Sequence, residues 1–476
     1  MIKLLNLTNN SIYLDDIDLY IPHQEDEPQI IKLQDLKKSE MLQSLIVTGN
    51  LKIIECGKSR IEQNMLRLSK EYSEKSSQKD DDTLNEDTKE FRVTDSDVPS
   101  VVIKGNFHQS SGYAKVNRNL AIGLALKKYN VEIKSLNKNN STLNEMESRQ
   151  ISSLQKPING PKIAIDSIIP SFTQESSRAH YKILYTTIEA ASVPQQTIDM
   201  CDRYDEIWLT SDFSLEVLQN SGVKKPMYVI PPGVQSSLYN ENHEPHVFSP
   251  SLKSFAFCAL GQWQYRKGWD ALLRAYLTEF NDKDDVSLLI ISKYMSKSEH
   301  SKYIQNEVQK KIIEYGGDNP AHIARCGRSI PEFDLPKFYK ACNAFVLPSR
   351  GEGFGLPFIE SSLCGLPVIA TNFSGQTMFL NDENSFPVDP DEIEKVPPHL
   401  NKIHYWDNQL MPSLRSDDFS KRLGETMRYV HNNYDEALEK NKKLQKEILN
   451  NYTIDASCKT AGKRIQEIWD NLKNKE

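Results

Sequence analysis

What this chain lacks narrows it before any motif is read. No stretch approaches the ~18 consecutive apolar residues of a membrane-spanning helix, so no transmembrane segment is expected, although peripheral membrane contact is left open. An excess of positive charge is missing too. Lys and Arg number 58 against 65 Asp and Glu, a net charge of −7 with a pI near 5.9, which argues against a nucleic-acid partner. The seven cysteines (Cys56, Cys201, Cys258, Cys326, Cys342, Cys364, Cys458) are scattered, odd in number and without a C-x-x-C pair, so they read as reduced packing residues of a cytoplasmic protein. There is no H-E-x-x-H and no clustered His/Asp pattern, so no metal is expected. Met1–Leu7 is too short and too polar downstream to read as a secretory signal. What is present is ordinary for a globular protein: 26% charged and 38% hydrophobic residues, over a length of 476 that suits two or three domains.

Composition and periodicity divide the chain. Residues 1–57 carry short alternating runs (Ser11–Leu14, Gln29–Leu33) and a Gly49-Asn50 turn signal between two apolar runs, predicting a small β-rich accessory module. Residues 58–98 predict a helix over Ser59–Tyr72, then a charged flexible linker around Lys79-Asp80-Asp81-Asp82 with too little apolar surface to fold. Residues 99–243 alternate apolar strands (Val101–Gly105, Lys162–Ile165, Tyr181–Tyr185, Glu206–Leu209, Met227–Ile230) with helical patterns. A second alternation fills 244–440, with strands at Phe255–Leu260, Val286–Ile291, His322–Ala324, Phe345–Leu347 and Pro367–Ala370. Residues 441–476 are helical. The fold class is therefore α/β: two Rossmann-like doubly wound domains facing a cleft, plus the N-terminal module.

Two motifs carry chemistry. In Arg350-Gly351-Glu352-Gly353-Phe354-Gly355-Leu356-Pro357-Phe358-Ile359-Glu360, two glutamates flank a glycine turn between a strand and a helix. Pro357 suits a first helical turn. The glycines allow close approach of a ligand to the backbone, and the helix start offers N–H groups to an anion. Glu352 is expected in the loop at the cleft mouth, with Glu360 about one turn into the helix and facing back toward it. The second motif, Gly261-Gln262-Trp263-Gln264-Tyr265-Arg266-Lys267-Gly268, sets two cations at a helix start, a natural diphosphate clamp. Asp95-Ser96-Asp97 and Asp389-Pro390-Asp391 lack the preceding apolar strand of a metal-binding D-x-D.

Glu352-Gly353-Phe354-Gly355-Leu356-Pro357 with Glu360 resembles the E-x7-E signature of retaining GT-B glycosyltransferases of family 4 (glycosyl transferases group 1). The resemblance spans roughly residues 100 to 475. It implies that a hexose-type sugar is transferred with retention from a UDP- or GDP-sugar to a glycan, lipid or protein acceptor, without metal or other cofactor. It implies that Glu352 holds hydroxyls of the transferred sugar, Glu360 the ribose hydroxyls, and Lys267 the leaving diphosphate. The family arginine position carries Gln262, and Arg266 could supply the charge from four residues on. Gly353, Phe354, Gly355 and Leu356 would bind the donor, with the main-chain N–H groups of Phe354 and Gly355 helping to hold the diphosphate. Gly112, after the first strand, would approach the donor phosphates. Arg328 and Ile330, in the loop after a strand, would hold the base. Ser374 and Gly375 stand where the family has a glycine pair that offers N–H groups to phosphate. His108 and Tyr113, beside the first loop with Asn106, and Glu189, at a strand end, are the acceptor-side candidates. The terminal helix is expected to cross back to the first domain.

Other readings remain open from sequence. They are a GT-B epimerase or phosphorylase, a hydrolase built on a carboxylate pair, and a non-catalytic scaffold in which the β module engages a protein partner. Intact Lys267, Glu352 and Glu360 favour the transferase; Gln262 favours the scaffold.

Overall fold

A computed structural model describes residues 98–109, 111–136, 143, 145–158, 162–168, 179–293, 298–326, 330–396 and 409–473, together with N-terminal strands. The chain forms two compact units, Met1–Phe91 with Lys402–Tyr405, and the remainder. In the first unit, β1 (Ile2–Asn6) is flanked by β4 (Gln29–Ile31) and β5 (Leu51–Cys56), both antiparallel to it. The hairpin of β2 (Ile12–Leu14) and β3 (Leu19–Ile21) stands beside them in sequence. The predicted strands near residues 12, 29 and 51 are therefore present, and the described partner of β5 is β1. The turn at Gly49-Asn50, the helix over Ser59–Tyr72 and the linker lie outside the described residues.

The second unit contains two parallel sheets. The first comprises β6 (Ser100–Gly105), β7 (Asn130–Ser135), β8 (Ile163–Ser167), β9 (Tyr181–Thr186), β10 (Glu206–Leu209) and β11 (Met227–Val229), in spatial order β11-β10-β9-β8-β6-β7. Its helices include α1 (Gly112–Leu126), α2 (Glu145–Ser153), α3 (Gln195–Cys201) and α4 (Asp212–Asn220). The second sheet comprises β12 (Phe255–Gln262), β13 (Val286–Lys293), β14 (His322–Cys326), β15 (Ala344–Leu347), β16 (Val368–Thr371) and β17 (Phe386–Val388), in order β14-β13-β12-β15-β16-β17. Around it lie α5 (Trp269–Glu279), α6 (Ser298–Tyr315), α7 (Leu335–Lys340) and α8 (Leu356–Leu363), with a small β18 (Ile393–Lys395)–β19 (Leu410–Pro412) pair. The strands read as continuous apolar runs because helices cover both faces. Phe255 through Gly261 are all buried. Strand order reverses between β6 and β8 in the first sheet and between β12 and β15 in the second. In doubly wound sheets such points open a crevice beyond the carboxyl ends of the strands, and ligands bind there. The motifs Gly261–Gly268 and Arg350–Glu360 follow β12 and β15, so topology alone brings them together.

The chain ends in α9 (Asp417–Asn432), α10 (Tyr434–Asn451) and α11 (Ile454–Lys473). Cys458, Ala461, Ile465, Ile468 and Trp469 recur at helical spacing and are buried among Val101, Leu120 and Leu124 of the first domain. On the neighbouring face Arg464 pairs with buried Glu206 at 2.7 Å. The chain therefore crosses between the domains twice. Val234 N–H donates to Tyr452 O at 2.8 Å, so the two crossings run side by side. The six cysteines whose side chains are described are free and buried. No helix among the described residues is long and apolar enough to span a membrane.

Candidate active site

The 3-10 turn Tyr265–Lys267 carries both cations into the crevice and stops at Gly268. Gly268 has φ +68°, and an added Cβ would overlap the Pro348 carbonyl oxygen. Only glycine meets both conditions. The two motif loops are further joined by Arg350, which is fully buried. Its guanidinium reaches both Asp270 oxygens at 2.7 and 2.8 Å, Tyr265 O at 2.8 Å and Ser413 O at 2.9 Å, and lies over the Tyr265 ring. A planar fork with this many fixed acceptors sets the position of the turn that follows it.

That turn brings Glu352 to Lys267. Lys267 Nζ lies 2.6 Å from Glu352 Oε1, Arg266 Nη1 lies 3.2 Å from Oε2, and Ser349 Oγ donates to Oε1 at 2.7 Å. Arg266 also donates to Gly351 O and sits 3.2 Å from Glu189 Oε1. Two cations and two carboxylates thus converge at the β12/β15 switch point. Arg266 reaches this cluster, whereas Gln262 is exposed and accepts a 2.6 Å bond from Gln264. Tyr113 is half-buried in the first turn of α1.

Glu352 is not at an open mouth, as its place in the loop suggests. It is only 5% exposed, because the first domain closes over it. Cβ atoms added at Gly351 and Gly353 would overlap the Glu189 carbonyl oxygen and the Thr187 side chain. Thr210 Oγ1 donates to Gly353 O at 2.9 Å. Glu360 is likewise turned away from solvent, 2% exposed, and accepts from Lys115 Nζ of α1.

Burial raises the Glu352 carboxyl, but Lys267, then Arg266, then the hydrogen bonds from Lys267 and Ser349 outweigh it. The group is held at about 2, against an ordinary 4.5. Lys267 is pulled below its usual range by burial, with Glu352 opposing. Because the folded value of Glu352 lies below the unfolded one, its stabilisation is complete above about pH 4.5 and is lost as pH falls toward 2. The gap is worth about 3 kcal/mol in full, of which about 2 kcal/mol is gone by about pH 3. Urea melts across this range should therefore lose stability more steeply in the wild type than in Glu352→Gln. Equal acid slopes in the two proteins would rule the effect out.

The Ser374–Gly375 segment corrects a second expectation. Gly375 N–H is not held out to an anion; it donates to Glu352 O at 2.9 Å, because the segment packs under the glycine turn. Ser374 stands at φ +71°, ψ −156°, a region essentially reserved for glycine and costing about 1–3 kcal/mol. Its hydroxyl accepts from Glu352 N–H at 2.8 Å, which ties the strained residue to the site.

The remaining candidates divide. The side chains of Phe354, Leu356 and Ile330 are buried in the second domain's core, and Phe354 packs on Phe379 and Tyr452, so only their main chains can face a ligand. Gly355 caps the start of α8, with Pro357 in its first turn. The first N–H groups of a helix have no partner within it and remain anion-accepting by geometry. Gly112 is exposed, and an added Cβ would meet nothing, so packing does not demand glycine there. His108 is half-buried; burial and then Arg118 hold its imidazole below the usual range. Arg328 lies outside the described residues. Asp389 and Asp391 accept from Asn372 and from Arg422 and Ser416.

Sequence reading missed Ser349, Arg350, Asp270, Thr187, Thr210, Lys115, Arg118 and Glu332. Arg350 stood inside the first motif, and Asp270 lies two residues beyond the second. Ser349 directly precedes the first motif, and Thr187 and Lys115 lie two residues from Glu189 and Tyr113, but no spacing singled these or Thr210, Arg118 and Glu332 out.

The region with this geometry also carries the sequence similarity. A profile of the family described as glycosyl transferases group 1 matches residues 254–402. O-antigen chain mannosyltransferase B of Escherichia coli is 37% identical over 71 residues, 15% of this chain and 18% of that protein. Mannosylfructose-phosphate synthase of Agrobacterium fabrum is 29% identical over 184 residues, 36% of this chain and 38% of that protein. The chain thus spans less than half the length of these curated relatives. Among solved structures, sucrose-phosphate synthase from Thermosynechococcus elongatus matches with a TM-score of 0.57 at 15% identity, covering 78% of this chain and 100% of that one. HepE of Anabaena, solved with UDP and glucose, matches with a TM-score of 0.55 at 12% identity, again over 78% and 100%. The two-domain fold is GT-B, shared with these solved structures.

Proposed function

We propose that this chain is a retaining, metal-independent glycosyltransferase of family 4. It would move a hexose-type sugar from a UDP- or GDP-sugar to a glycan, lipid or protein acceptor. The observation that carries this reading is the buried Lys267–Glu352 pair, with Arg266 beside it, at the switch point of the second sheet. The group 1 profile match over the same residues supports it, and the UDP seen with HepE makes uridine nucleotides the first donors to test.

In the reaction, the anomeric carbon–oxygen bond to the diphosphate breaks and the acceptor oxygen bonds to that carbon on the same face. The acceptor proton passes to the leaving phosphate oxygen, so no side-chain base is needed. Negative charge grows on the diphosphate as the bond breaks. Lys267, Arg266 and the N–H groups at the start of α8 are fixed donors that favour that charge in a dry site. Glu352 would then turn from Lys267 toward sugar hydroxyls, Glu360 would take ribose hydroxyls, and Glu189 would orient the acceptor. Closure of the first domain over Gly351–Gly353 would keep water from the sugar.

Thermal-shift titration with UDP, GDP and ADP, with and without EDTA, tests this. A ligand that binds only the native state raises the melting temperature. Stabilisation by UDP or GDP that survives EDTA is expected. No shift with any nucleotide would favour the scaffold reading, and a shift abolished by EDTA would overturn metal independence.

A further inference from the structure

Lys115 and Arg118 project from α1 of the first domain onto two carboxylates of the second. Lys115 Nζ donates to Glu360 Oε1 and lies 3.0 Å from Glu332 Oε1, while Arg118 Nη2 lies 2.6 Å from Glu332 Oε2. Lys115 also donates to the hydroxyl of buried Tyr239, in the stretch that joins the domains, at 2.8 Å. Among the described residues Glu360 also accepts a long 3.4 Å bond from Tyr339. Among the described residues Lys115 is the cation that touches both acids.

From this geometry we infer that Lys115 is an interdomain latch occupying the ribose subsite. In the closed form its ammonium holds the Glu360 carboxylate, and donor entry exchanges that ion pair for ribose hydroxyls. This rests on the proposed ribose role of Glu360. Removing one partner of a buried pair leaves the other charge uncompensated, so losing Lys115 should favour the open form. Glu360 would then also be free for the nucleotide.

The test uses the full chain with Lys115→Met, Lys115→Arg and the double variant Lys115→Met/Glu332→Gln. The double variant removes one cation together with one carboxylate, so the net charge is unchanged, and it serves if the single one folds poorly. Without ligand, amide hydrogen exchange in segments 186–190 and 351–355 should quicken by about tenfold or more in Lys115→Met and the double variant, the factor expected when about 1.4 kcal/mol of closure is lost. Strands β12 and β13 should exchange as before, and Lys115→Arg should behave as wild type. With UDP as the probe, calorimetry should give about tenfold tighter binding to Lys115→Met and the double variant. Unchanged exchange at the two segments would overturn the latch. Faster exchange with UDP binding no tighter than in the wild type would overturn occupation of the ribose subsite. Faster exchange with no binding of UDP or GDP by any of the proteins would keep the latch and overturn the nucleotide-sugar reading instead.

Discussion

Lys267→Met should lower sugar transfer by about 10²–10³-fold, the usual cost of removing one fixed donor to the charge that develops in a transition state. The loss should fall mainly on kcat, because Lys267 matters most when the diphosphate departs. A structural explanation would compete with this, since Lys267 is also half of a buried ion pair 2.6 Å across. Breaking such a pair from one side costs about 3–5 kcal/mol. Here Arg266 and Ser349 still reach Glu352, so the loss should lie toward the lower end. The double variant Lys267→Met/Glu352→Gln separates the two roles. It removes the stranded charge and should regain melting temperature over Lys267→Met, yet its transfer rate should stay as low or lower. Wild-type turnover in folded Lys267→Met would refute the transferase mechanism; recovery of turnover in the double variant would reduce the lysine to a structural partner.

Gly351→Ala should cost transfer at least about 10²-fold, the scale of a misplacement by about 1 Å at a reacting centre. Gly351 has no left-handed φ, so alanine fits its backbone. The added methyl would instead meet the carbonyl oxygen of Glu189 across the domain interface. A carbonyl on the opposing main chain cannot rotate aside as a long side chain would, so the domains must part. Melting temperature should fall modestly, because the two cores are separate and intact. Nucleotide binding should persist, because the donor groups sit in the second domain. Transfer should fail, because Glu189, Thr187 and the acceptor side would no longer close over the sugar. An unchanged kcat would mean that transfer occurs with the domains further apart than in this structure.

Much of the site was legible before the fold was known, and the reason is local. Strand, glycine turn and helix lie within a dozen residues in each motif, so sequence spacing fixes which backbone groups are presented. Pro357 opens α8 as its type suggests, and Arg266, four residues beyond Gln262, reaches Glu352 because a 3-10 turn intervenes. The missing part is non-local. Gly375 sits beside Glu352 although a helix and a strand separate them in sequence, and its N–H is used by that packing. Ser374 takes a glycine-like conformation that its residue type argued against.

The sequence by itself determined the two alternating α/β domains, the apolar strands buried on both faces, and the pairing of a cationic helix start with two flanking glutamates. Period and turn chemistry act over a few residues and are written in order along the chain. Only the tertiary structure decided where those charges go. It closed the first domain onto the glycine turn, buried Glu352 between Lys267 and Arg266, and gave Glu360 to Lys115, 245 positions away in sequence. A buried charge must find its counter-charge in space, and the partner it finds depends on how the two domains meet.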